Sequence, residues 1–156
     1  MIIEDYVSFE TAKLLKEKGF NAELKMYWNK DFKNEPVLNC CPCPFDDYEP
    51  DGIKPIEIDN SGRSCDSNHW WHPEDFDCVA PTLQMAMTWL REVHNKHCDT
   101  GYDIDLGWFF QIIDLKETVE YDYPETKYYH TENETGFNTY EEACEAAIKY
   151  CLENLI

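Results

Sequence analysis

Positive charge is what this chain has least of: 13 Lys and Arg stand against 32 Asp and Glu in 156 residues, a formal net charge of −19 at pH 7. Such a surface repels phosphate backbones and anionic lipid, so direct nucleic-acid and membrane binding are not expected. Glycine is scarce too, with 6 residues, and neither a phosphate-cradling loop nor a dinucleotide fingerprint is present. No G-x-S-x-G elbow occurs, which removes one familiar route to nucleophilic catalysis. Every apolar run is far shorter than the roughly 18 to 20 residues of a membrane helix. The opening MIIEDYVSFE also lacks the basic-then-apolar layout of an export signal.

What is present supports one core. Hydrophobic residues make up 43% of the chain and aromatics 15%, enough for a single domain spanning 1–156. Of the eight cysteines, Cys144 and Cys151 fall inside a helical pattern and Cys98 follows another, a placement that suits buried thiols in a reducing cytoplasm. The acid is unevenly spread, with −9 over residues 31–80 and −8 over 99–139, whereas residues 1–30 sum to zero. It collects between the expected helices.

Three helices are predicted, near 8–18, 82–96 and 139–154. In the first, Ser8 caps, Phe9, Ala12 and Leu15 share a face, and Gly19 provides a stop sealed by contact between Leu15 and Phe20. The second starts at Pro81-Thr82 and carries Leu83, Ala86, Met87, Leu90, Val93 and His94 as a stripe, with Met85 and Trp89 on a second face. Two-sided burial of that helix is expected, the alternative being that its second face is an apolar patch for a partner. The third opens with Thr139-Tyr140-Glu141-Glu142, a capping box, and holds Tyr140, Ala143, Cys144, Ala147, Ile148, Cys151, Leu152 and Leu155 on one side.

Elsewhere the period is two. Leu24, Met26 and Trp28 alternate with Glu23, Lys25 and Tyr27, which reads as a strand burying the first set. Tyr102, Ile104 and Leu106 alternate with Asp103 and Asp105, and Trp108–Leu115 is almost wholly apolar, suggesting a hairpin with a central second strand. Val119–Tyr123 and Lys127–His130 extend it. The expected class is therefore α+β: an antiparallel β-meander with about three helices packed on one face in two layers. Residues 31–78, rich in Pro, Asp, Gly and Cys, read as a long irregular insertion in which Ile53–Ile58 and Asp77–Ala80 form short strands.

Two clusters in that insertion carry chemistry. Trp70, Trp71 and His72 are the candidate surface anchors for a partner, since large rings in an irregular acidic stretch often seat a contact; the competing expectation is that they fold back over the sheet. Cys40, Cys41, Cys43, Cys65, His69, His72 and Cys78 have the ligand chemistry of a zinc site. Adjacent cysteines point apart and Pro42 stiffens the backbone, so no metal and no cofactor is expected; Cys40, Cys43, Cys65 and His69 form the alternative ligand set. His94 and His97 are expected to end the second helix, where imidazoles meet its dipole.

The segments YVSFETAKLLKEKGF (6–20), APTLQMAMTWLREVHN (80–95) and TYEEACEAAIKYCLENLI (139–156) resemble a group of small uncharacterised acidic proteins encoded in Bacteroides genomes and their phages or mobile elements. The resemblance covers the helices and implies a shared fold; it carries no reaction and no site residues. The expected function is that of a non-enzymatic binding protein acting on a host or viral protein through its acidic surface. The alternatives are a small-molecule-sequestering protein with a pocket between sheet and helices, and a metal-dependent enzyme.

Overall fold

The structure, a computed structural model, describes residues 5–31, 33–40, 60, 77–116, 128–130 and 136–156. It is α+β, with helices α1 (Phe9–Glu17), α2 (Leu83–His94) and α3 (Tyr140–Asn154). The described strands are β1 (Met26–Lys30), β2 (Pro36–Cys40), β3 (Cys78–Val79), β4 (Lys96–Asp103), β5 (Gly107–Asp114) and β6 (Tyr128–His130). The expected meander is present as the antiparallel sheet β4-β5-β6, and the other strands form a second antiparallel three-stranded sheet, ordered β2-β1-β3. Backbone contacts divide the chain correspondingly into two compact units, Ser8–Pro81 and Met1–Val7 with Thr82–Ile156. Within the units, α1 packs on β3, and α2 and α3 pack on β4.

In the Ser8–Pro81 unit, the Ser8 side chain accepts the Thr11 N–H at 3.3 Å and caps α1. The helix ends as its sequence requires. Gly19 takes a φ of 91°, a left-handed conformation natural to glycine, and the Phe20 N–H reaches the Leu15 carbonyl at 2.9 Å, with both side chains buried. The strand expected at 22–28 starts later, and it is Tyr27 that is buried while Met26 and Trp28 are half-buried. Both faces of β1 are engaged: the Trp28 ring meets Phe9 of α1 edge-on at 6.1 Å, and Tyr27 pairs with Val79.

Part of the stretch read as irregular is ordered. Asp31 accepts the Lys33 and Glu35 N–H groups at 2.8 and 2.9 Å, and Asn34 adopts φ 65°, closing a turn that brings β2 onto β1. An aspartate bonding its own following backbone is a turn device that hydrophobic periodicity does not register. Cys78–Val79 forms the strand expected near 77–80. Asn60 closes this unit: its side chain accepts the Val79 N–H at 3.0 Å and donates to the Phe20 carbonyl, and its own N–H reaches Asn21 at 2.9 Å. The strands expected at Ile53–Ile58 and Val119–Tyr123 lie outside the described residues.

In the other unit α2 is capped by Thr82, which accepts the Met85 N–H at 3.2 Å, and stopped by Asn95 in the left-handed region at φ 57°. The chain then enters β4 directly, so His97 lies on a strand and not at a helix end. Leu83, Ala86 and Leu90 of the main stripe are buried but its Val93 is exposed, and on the second face Met85 is exposed and Trp89 half-buried against His94, so that face is not buried as expected. Helix α3 buries Ala143, Cys144, Ala147, Ile148, Cys151 and Leu152 as its period demanded, while Tyr140 and Leu155 at the two ends of the stripe stay exposed and half-buried. Burial of side chains such as Ile148 and Leu152 stabilises by roughly 1.5–3 kcal/mol each. Its cap departs from the reciprocal box in one bond: Thr139 accepts the Glu142 N–H at 3.1 Å, but Glu142 reaches back to the Asn138 N–H at 3.0 Å, one residue earlier.

Candidate functional site

The β4–β5 hairpin is in continuous register from Lys96↔Asp114 to Asp103↔Gly107. Alternation places Cys98, Thr100 and Tyr102 on the face that meets α3, and His97, Asp99 and Gly101 on the other. Against the first face, Cys98 Sγ lies 3.7 Å from Cys151 Sγ, and Cys144 Sγ donates to Thr100 Oγ1 at 3.9 Å. Farther along, Tyr102, Trp108 and Tyr140 form a row of edge-on rings, each 5.4 Å from the next. At the strand base, a nearly buried ion pair joins Lys96 to Asp114.

At the far end the strand stops at Asp103. Its carboxylate accepts the N–H groups of Asp105 at 2.8 Å and Leu106 at 3.1 Å, so the backbone turns where the alternating pattern had suggested that the strand continued. The result is a structured tip. Ile104 is 87% exposed, Tyr102 62% and Leu106 50%, with Asp103 and Asp105 alternating between them and Asp99 exposed farther down the strand. The alternation suggests that Ile104 and Leu106 belong to the first strand of the hairpin; the structure places them on its exposed turn.

One side of the hairpin is occupied. β6 pairs with Gln111–Ile113 of β5, and nearer the tip residues 136–137 take over, with Gly136 donating to the Leu106 carbonyl at 2.8 Å and Phe137 exchanging bonds with Trp108 at 2.7 and 3.1 Å. Gly136 is required by space: a Cβ there would meet the Leu106 carbonyl oxygen at 2.2 Å and that of Trp108 at 2.6 Å.

Beside this surface, Asp5, Thr82, Leu83, Gln84, Met87 and Tyr140 line a cavity of about 310 Å³. That is at the small end of the range for organic ligands.

Three of the described thiols are held away from the thiolate form. Hydrogen bonding to Cys151 and then burial push the Cys98 thiol well above its ordinary range. Burial raises Cys144, with the Tyr140 and Thr100 hydroxyls opposing. Burial also drives Cys78 up to about 12, against the pull of Lys16. The Tyr140 phenol is raised in turn, chiefly by its hydrogen bond with Cys144. A thiol held protonated at neutral pH packs as a small apolar group. All four described free cysteines, Cys78, Cys98, Cys144 and Cys151, are buried, as expected of the two on α3.

Of the residues singled out in the sequence, Trp70, Trp71, His72, Cys41, Cys43, Cys65 and His69 lie outside the described residues. Cys40 ends β2, and Cys78 is buried in β3. Among the described residues no group of three His, Cys, Asp or Glu is placed to hold a metal ion. No described helix is long and apolar enough to cross a membrane. Comparison with protein-family models, curated proteins and solved structures finds no match to the chain. The hairpin tip was missed because aspartate pairs are uninformative in so acidic a chain; the available signal was an Asp followed two and three residues later by the amides it could bind.

Proposed function

We propose that this chain is a non-enzymatic binding protein whose β4–β5 hairpin engages a basic protein surface. The observation that carries the reading is the tip itself: three large apolar side chains held out to solvent on an ordered turn and surrounded by carboxylates. Exposed apolar groups rimmed by polar ones are the usual composition of a contact surface, and the acid selects a cationic partner and accelerates encounter. In the phage or mobile-element setting that the resemblance implies, the partner is a host or viral protein. No cofactor enters this reading.

The test begins with a photo-crosslinking residue in place of Ile104, followed by purification of the captured protein and measurement of its affinity for the unlabelled chain. Ile104→Asp should weaken that complex by about tenfold or more while leaving the circular dichroism spectrum unchanged. Raising the salt should weaken it further. Equal affinity for the folded variant would overturn the reading. Small-molecule sequestration is a second reading, favoured by the cavity at Tyr140. Met87→Trp, which fills that cavity, should abolish thermal stabilisation by any metabolite bound there.

A further inference from the structure

We propose that the outer edge of β4 is a docking strand that takes an extended basic segment of the partner as a fourth strand of the sheet. This rests on the binding reading above and specifies its partner chemistry. β4 runs for eight residues, and among the described residues it pairs only with β5. The other side of the hairpin is occupied by β6 and residues 136–137, so among the described residues the open hydrogen-bonding row lies on the β4 side. On a terminal strand every second residue directs its N–H and C=O outward.

Natural edges are usually guarded by proline, a bulge, lysine or a covering element. β4 contains no proline, its eight-pair register has no skip, and its single lysine, Lys96, sits at one end and is committed to Asp114. Tyr102 and Asp99 are exposed, one on each face of the strand, while α2 packs against β4 elsewhere. What stands on it is acid.

Asp99 and Asp103 lie on the same face, four residues and therefore about 13 Å apart. Both carboxylates are held in place: Gln111 donates to Asp99 at 2.7 Å, and the tip amides bind Asp103. A second copy of this chain is a poor occupant, because paired β4 strands would set these carboxylates against their own kind in a molecule of net charge −19. A cationic strand removes that repulsion. Lys or Arg at positions i and i+4 would face Asp99 and Asp103, while an apolar residue on the opposite face would pack beside Tyr102. Main-chain bonds would supply affinity, and the two side-chain rows register and selectivity.

The probe is a fluorescein-labelled, end-capped nine-residue peptide of alternating Lys and Val, followed by anisotropy. Two controls accompany it: the same peptide with Glu for Lys, and the Lys peptide N-methylated at every interior amide, which keeps the charge and removes the donors. The expected result is binding of the Lys peptide alone, at least tenfold weaker to the Asp99→Asn, Asp103→Asn double variant, with slowed hydrogen exchange at alternate β4 amides. Equal binding of the N-methylated peptide, no binding of the Lys peptide, or unchanged β4 exchange at saturation would overturn the proposal. The two hypotheses separate cleanly. If the edge fails any of these tests while Ile104→Asp still loses its cross-linked partner, the hairpin reading stands without strand addition; if that partner is also retained, both fall.

Discussion

Replacing Gly136 by alanine would test how the hairpin is held from behind. The added methyl carbon meets two backbone oxygens, 2.2 Å from that of Leu106 and 2.6 Å from that of Trp108, so no side-chain rotation relieves the clash. Residues 136–137 must lift away from β5. Three backbone hydrogen bonds are then lost: Gly136 N–H to Leu106, and the exchanged pair between Phe137 and Trp108. The stacked contact of the Phe137 ring with Phe110, at 6.1 Å, is weakened as well. At a net value of about 1 kcal/mol for each hydrogen bond, the expected loss is about 3 kcal/mol. Gly19→Ala is the natural control, since nothing lies within 4 Å of a Cβ there and only the φ of 91° opposes the substitution. Its cost should be about 1–2 kcal/mol. Urea unfolding followed by far-ultraviolet circular dichroism measures both. A loss below about 0.5 kcal/mol for Gly136→Ala, with an unchanged m value, would refute the pairing of 136–137 with β5.

Cys98, Cys144, Cys151 and Cys78 should resist a small aromatic disulfide reagent in the native protein and react in urea; rapid native labelling of any of them, read by peptide mass spectrometry, would show that its helix or strand does not pack as described. Alkaline stability carries the sign of the Cys78 shift. With an ordinary value of 9.0 and a folded value near 12, its thiol stabilises the fold fully below about pH 9, and that contribution is lost as pH rises towards 12. Cys78→Ala should therefore reduce the decline in that window by up to about 1.4 kcal/mol per pH unit, measured by urea midpoints at successive pH values. An unchanged slope would place the Cys78 thiol in water.

Elements whose causes are local were legible in the sequence. Helix α3 follows from a threonine cap and an unbroken apolar period, and the end of α1 from Gly19 flanked by Leu15 and Phe20. Features decided by partners distant in sequence were not. Tyr27 and Trp28 are both good strand residues, and which of them is buried depends on β3 and Phe9, so alternation identified the strand but not its inward face. The hairpin tip was misread for a different reason: Tyr102, Ile104 and Leu106 have the period of a buried strand, yet the Asp103 carboxylate captures the amides that would have continued the ladder. The division of the strands into two sheets was not legible either, since no local pattern says which strand pairs with which.

The three bonds of Asn60 have a practical consequence. By accepting from Val79 and donating to Phe20 and Asn21, one side chain and its own amide tie β3 to the chain that follows α1. An experimenter who alters this unit should therefore leave position 60 as asparagine, since one substitution there loosens two segments that are far apart in sequence.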